Sequence, residues 1–172
     1  DGKMYGIANG NRIWLGDTER GTLTEDVNLP GIATSLEFSA DNRFVAVGLV
    51  QAPWETVWHW PVNRNLPLAH RIAVIQIETG LIRFQKRNLE VVGFGFHPQT
   101  HQLYILDRSH KPKHKRLTFY KPDTWEPSFQ HETEHSEPLG MALSNDGRLV
   151  AMPLADTRIE VWEIDKLEND KE

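Results

Sequence analysis

Short apolar runs recur along the chain, many alternating with polar residues, and Gly, Pro, Asn and Asp separate them. A period near two with that punctuation predicts β-strands. No apolar stripe at i, i+3, i+4, i+7 lasts beyond about two turns. The nearest approach, Glu163 to Glu172, is mostly charged. An all-β fold is expected.

The strands repeat. Four segments open on arginine and continue as a short apolar run: Arg12-Ile13-Trp14-Leu15, Arg71-Ile72-Ala73-Val74-Ile75, Arg116-Leu117-Thr118-Phe119-Tyr120 and Arg158-Ile159-Glu160-Val161-Trp162. The last two intervals, 45 and 42 residues, match the ~40–50 residue period of stacked sheet repeats. The first interval is longer because it holds an insertion. A strand–turn–strand element precedes two of these runs: Leu36-Glu37-Phe38-Ser39-Ala40-Asp41-Asn42-Arg43-Phe44-Val45-Ala46-Val47 and Met141-Ala142-Leu143-Ser144-Asn145-Asp146-Gly147-Arg148-Leu149-Val150-Ala151-Met152. Asp41-Asn42 and Asp146-Gly147 tolerate the positive φ that tight corners require. In the third repeat Phe94-Gly95-Phe96-His97-Pro98 leads to Leu103-Tyr104-Ile105-Leu106 through a longer corner. Strands are expected near 4–9, 11–17 and 22–27, then four within 34–86, four within 91–131 and three within 139–164.

The run Ser144-Asn145-Asp146-Gly147-Arg148, Leu149-Val150-Ala151, then Arg158-Ile159-Glu160-Val161-Trp162-Glu163-Ile164 resembles the repeats of WD40-like and related seven-bladed β-propellers. The resemblance covers nearly the whole chain with degenerate motifs. The Trp-Asp that ends the third strand of such repeats survives only as Trp162-Glu163, and the opening Gly-His is absent. The family's Asp-His-Ser-Trp network is therefore not carried over. The resemblance implies β-propeller blades of four antiparallel strands, about three and a half of them, half of a seven-bladed ring. The chain, 1–172, then reads as one partial propeller domain. It comprises a blade remnant (1–30), full blades (31–88 and 89–136), a partial blade (137–165) and a charged tail (166–172). Half a ring leaves apolar faces and strand edges open. Completion by another chain, or by sequence ahead of Asp1, is expected.

The composition removes whole classes of function. The 172 residues contain no cysteine, so disulfides, thiolate metal sites and cysteine nucleophiles are excluded. Six Trp, seven Phe and three Tyr supply a core, and no run approaches a membrane span. A net charge of −5 argues against general nucleic-acid binding. No signal-peptide core is visible, and the cytoplasm is the expected compartment.

Three segments carry candidate chemistry. His131-Glu132-Thr133-Glu134-His135 matches the zinc pattern H-E-x-x-H, but that motif needs a helix to bring both imidazoles to one metal. The repeat places it on an outer strand, where residues four apart stand roughly 13 Å from one another. No metal or other cofactor is expected. The stretch Arg108 to Arg116, with Arg108, Lys111, Lys113 and Lys115, is a basic hairpin loop suited to an acidic partner. No aromatic platform interleaves its charges, as stacking on nucleic acid would require. The insertion at 51–68 holds Trp54, Trp58, Trp60 and Arg64 between prolines. Such side chains either cap a neighbouring sheet or anchor a partner.

The sequence lacks G-x-S-x-G and the Walker A pattern. The expected function is a non-catalytic scaffold for protein interaction or regulation, with partner contacts expected at Trp54, Trp58, Trp60, Arg64, Arg108, Lys111, Lys113 and Lys115. The alternatives are part of a propeller enzyme of lactonase or quinoprotein dehydrogenase type, with His97, His101 and Asp107 converging on a channel, or a propeller that binds a small ligand on the tryptophan loop.

Overall fold

A computed structural model of the chain describes residues 3–50, 69–108, 115–133 and 138–164. Within them lie thirteen strands and almost no helix. The strands are β1 (Met4–Asn9), β2 (Arg12–Asp17), β3 (Thr22–Asn28), β4 (Ile32–Phe38), β5 (Phe44–Val50), β6 (Ala69–Gln76), β7 (Leu81–Phe96), β8 (Leu103–Arg108), β9 (Lys115–Tyr120), β10 (Pro127–Thr133), β11 (Ala142–Leu143), β12 (Leu149–Pro153) and β13 (Ile159–Glu163). The fold is all-β, and the paired strands run antiparallel. Hydrogen-bonded neighbours follow the orders β1-β2-β3, β10-β9-β8-β7-β6-β5-β4 and β11-β12-β13.

The repeats expected from the sequence are visible strand by strand, with one difference. The period predicts about fourteen strands. The last strand of the second repeat and the first of the third are instead one 16-residue strand, β7. Left-handed Asn88 (φ 58) interrupts it. The chain forms two compact units, Asp1–Phe38 with Asn42–Leu89, and Ser39–Asp41 with Glu90–Glu172. The four repeats are then β1–β3, β4–β6 with the start of β7, the end of β7 with β8–β10, and β11–β13.

In the first unit, Ile13 and Leu15 of β2 and Val27 of β3 pack with Val45, Val47, Leu49, Ala73 and Ile75 of β5 and β6. Met4, Leu36 and Phe38 close the edge of this core. Two backbone bonds tie the β1–β2 turn to the chain after β3, Leu29 N–H to Asn11 O (2.7 Å) and Ala33 N–H to Gly10 O (2.9 Å). In the second unit, Tyr104, Leu106, Leu117, Phe119 and Phe129 pack with Val150, Met152 and Trp162. Three rings, Tyr104, Phe119 and Phe129, meet at centroid separations of 6.0 and 5.9 Å, within the range of favourable tilted pairs.

β5 is buried along all seven residues, and β8 along its first five. Side chains alternate along a strand, so both faces of these strands are covered. Val45, Val47 and Leu49 face the first core. Phe44, Ala46 and Val50, with Ile72 and Val74 of β6, point the other way and are buried as well.

The corners repeat too. The turn before the last strand of each of the first three repeats closes with an i to i+4 backbone bond: Gly21 to Asp17, Gly80 to Gln76 and Trp125 to Lys121, each at 2.9 Å. The donor is left-handed every time, with φ of 62, 64 and 58°. Glycine adopts that conformation freely, while Trp125 does so at a cost. Asn42 and Gly147 occupy equivalent corners, also left-handed as the sequence requires.

Ile72 and Ile159 hold the same position in the second and fourth repeats, yet Ile72 is fully buried and Ile159 is 70% exposed. Ile72→Ala should therefore cost about 3 kcal/mol of unfolding free energy. Ile159→Ala, measured at a dilution where the chain is single, should stay within about 0.5 kcal/mol. Chemical denaturation of the two variants checks the contrast, and equal losses would contradict it.

Candidate functional site

In the second and third repeats the variable segment is the hairpin between the second and third strands. The tryptophan insertion joins β5 to β6, and Trp54, Trp58, Trp60 and Arg64 lie outside the described residues. The basic loop joins β8 to β9. Lys111 and Lys113 also lie outside, and Arg108 and Lys115 are the last cross-strand pair of its stem.

The stem holds an internal ion pair. Asp107 and Arg116 form the adjoining cross-strand pair. Arg116 donates from Nη2 to Asp107 Oδ2 at 2.9 Å and from Nε to Oδ1 at 3.4 Å. The Asp107 side chain is 4% exposed and that of Arg116 25%. A bidentate fork of this kind is stronger than a surface ion pair and fixes its partners' geometry. The hydrogen bond to Asp107 pushes the Arg116 pKa further up, against the opposing pull of burial. Arg108 reaches Glu90 at 3.8 Å, and Lys115 is buried. Within the stem, Asp107 and Glu90 thus offset Arg116 and Arg108.

His97, His101 and Asp107 do not converge. His97 and His101 close the corner before β8: His97 Nδ1 accepts from the amides of Gln99 and Thr100, both at 3.2 Å, and His101 N–H donates to His97 O at 2.9 Å. Asp107 lies near the far end of β8, and six extended residues span roughly 20 Å. Of the H-E-x-x-H histidines, His135 lies outside the described residues and His131 sits on β10, paired with Leu117. Its ring stands edge-on to Trp162 at 5.2 Å. Among the described residues, no three His, Asp or Glu gather in a group able to hold a metal ion.

Sequence reasoning marks His97 only as a channel candidate and misses its structural role. The residue occupies the position held by Ser39 and Ser144 in the other repeats. Ser144 Oγ donates to Asp146 and accepts the Leu149 amide at 2.9 Å; Ser39 Oγ donates to Asp41 at 2.7 Å. In the third repeat one imidazole replaces that hydroxyl–carboxylate pair. The signal lies in the alignment of Phe96-His97 with Phe38-Ser39 and Leu143-Ser144. His97 also closes on the next corner, for a Cβ at Gly147 would overlap its ring.

No helix among the described residues is long and apolar enough to cross a membrane. No protein-family model matches the chain, and no curated protein matches it significantly.

Asp107→Ala leaves the Arg116 guanidinium without its fork and should cost about 2 kcal/mol. Replacing both partners with apolar residues should recover part of that loss, as a double-mutant cycle would measure. The Asp146 pKa is lowered, chiefly by the Ser144 hydrogen bond and then by the Arg148 amide. A depressed carboxyl stabilises the fold above its unfolded pKa, and the benefit disappears as pH falls through the folded value. The melting-temperature advantage of the parent over Asp146→Asn should be largest at neutral pH. It should shrink below about pH 4.

Proposed function

We propose that the chain is a segment of a WD40-like β-propeller, a non-catalytic scaffold for protein interaction. Another chain, or sequence ahead of Asp1, completes it. The observation that carries this reading is the burial pattern: β5 and β8 are covered on both faces, as expected of blades inside a ring. The recurring corners at Gly21, Gly80 and Trp125 support one repeated unit of construction. In such a scaffold the sheets hold constant geometry, and the hairpins between second and third strands vary to suit partners. The insertion at 51–68 and the tip of the basic loop are the two hairpins with recognition chemistry. Trp and Arg are favoured interface anchors, and the lysines suit an acidic surface.

Trp54→Ala, Trp58→Ala and Trp60→Ala, combined in one chain, test this role. Partner association in the complete assembly should fall by at least about tenfold, since interface tryptophans often carry 2 kcal/mol or more each. The far-UV circular dichroism and unfolding midpoint should stay close to the parent's. A loss of several kcal/mol in stability would instead make the insertion a structural cap, and the interaction role would fail.

A further inference from the structure

The repeats define two kinds of sheet face. Within each unit, the forward face of one repeat packs on the backward face of the next. In the first core, forward Ile13 and Leu15 meet backward Val45, Val47, Ala73 and Ile75. In the second, forward Tyr104, Leu106, Leu117 and Phe119 meet backward Val150, Met152 and Trp162.

Two faces, one in each unit, leave large apolar side chains exposed. Ile159 and Val161 of β13 and Leu149 of β12 are forward positions by register: Ala151 pairs with Val161, as Ala46 pairs with Val74. Their second-repeat counterparts Ile72, Val74 and Phe44 are at most 4% exposed, whereas Ile159, Val161 and Leu149 are 70, 58 and 42% exposed. In the first unit, the backward face of β1–β3 carries Tyr5, Ile7 and Trp14. Ile7 pairs with Trp14 there, as Val47 pairs with Ala73. Ile7 is 51% exposed and Trp14 partly so.

We propose that the forward face of β11–β13 (Leu149, Ile159, Val161) docks on the backward face of β1–β3 (Tyr5, Ile7, Trp14) of a second copy of this chain. The proposal rests on the propeller reading above and deepens it by naming the partner. Both halves of the missing contact are present in one chain, each of the polarity that the two internal cores combine. The flanking charges are already paired within their own sheets, Arg148 with Glu163 at 3.7 Å and Arg12 with Asp26 at 3.4 Å. Docking therefore strands no buried charge. A symmetric contact would set forward against forward, a combination neither internal core uses. The head-to-tail contact is heterologous, so it closes into a ring or continues as an array.

The full chain tests this directly. Light scattering should give the mass of two or more copies, falling to 19.8 kDa for Trp14→Arg and for the double variant Ile159→Arg with Val161→Arg. The chain has no cysteine, so introduced thiols are unique reporters. A mixture of Ile7→Cys and Val161→Cys chains should form a disulfide between the two kinds, and Val161→Cys alone should form no disulfide-linked dimer. A disulfide-linked dimer of Val161→Cys alone would overturn the head-to-tail contact. A parent monomer whose Val161→Cys thiol still reacts freely with maleimide would also overturn it, leaving the propeller reading with a different occupant of the face. A monomer whose thiol is protected would defeat both, because the face would be covered within the chain.

Discussion

The structure depends on one constraint: a sheet covered on both sides must be apolar on both. An ordinary antiparallel sheet keeps one face for water and alternates accordingly. Phe44-Val45-Ala46-Val47-Gly48-Leu49-Val50 has no polar side chain at all, and every residue in it is buried. Burying an aliphatic side chain of this size is worth about 1.5–3 kcal/mol, and a strand covered on both faces collects that gain twice. The first and last repeats carry the same sequence pattern without the second gain. Ile159 and Val161 read like Ile72 and Val74, but their energetic meaning depends on what lies beyond them.

Two-sided burial demands accurate register, because a one-residue slip exchanges the faces. The corners supply that accuracy. Three copies of an i to i+4 turn, closed by left-handed Gly21, Gly80 and Trp125, set the entry to the last strand of each repeat. A side-chain cap sets the corner between the first two strands, by Ser–Asp in two repeats and by His97 Nδ1 in another. The chemistry differs, while the requirement is the same: a local acceptor for backbone amides that the turn would leave unpaired.

Much of this was legible in the sequence because it is local. Strand positions followed from apolar runs and turn residues, and the repeat from recurring arginine-led segments. Positive φ at Asn42 and Gly147 followed from their residue types. The continuity of β7 was not legible. Its Arg87-Asn88-Leu89 stretch carries polar residues at the junction of two repeats, and whether a chain bends or runs on there depends on which neighbours pair with it. The Asp107–Arg116 fork was equally hidden. Its members are nine positions apart, and only the β8–β9 register opposes them. For the candidate site, sequence marks the two hairpins by composition, but the ion-paired stem of the basic loop needs the cross-strand geometry.

The stem and the hairpin tips answer to different physics. A loop that recognises a partner gains from charges and rings held outward at low entropic cost, and that requires an unyielding base. Asp107 and Arg116 provide one, since a carboxylate with almost no exposure tolerates only its fork partner. Lys115, buried one residue from the fork, keeps its aliphatic stem in the sheet. The hairpin can change its tip without disturbing the fork, because Asp107 and Arg116 satisfy each other and Arg108 reaches Glu90. The second repeat meets the same problem with aliphatic residues: Leu49 and Val50 lead into the insertion from a fully buried strand. Such bases beneath variable hairpins would let one sheet geometry carry different recognition chemistries, and that separation is the physical basis of the scaffold role proposed above.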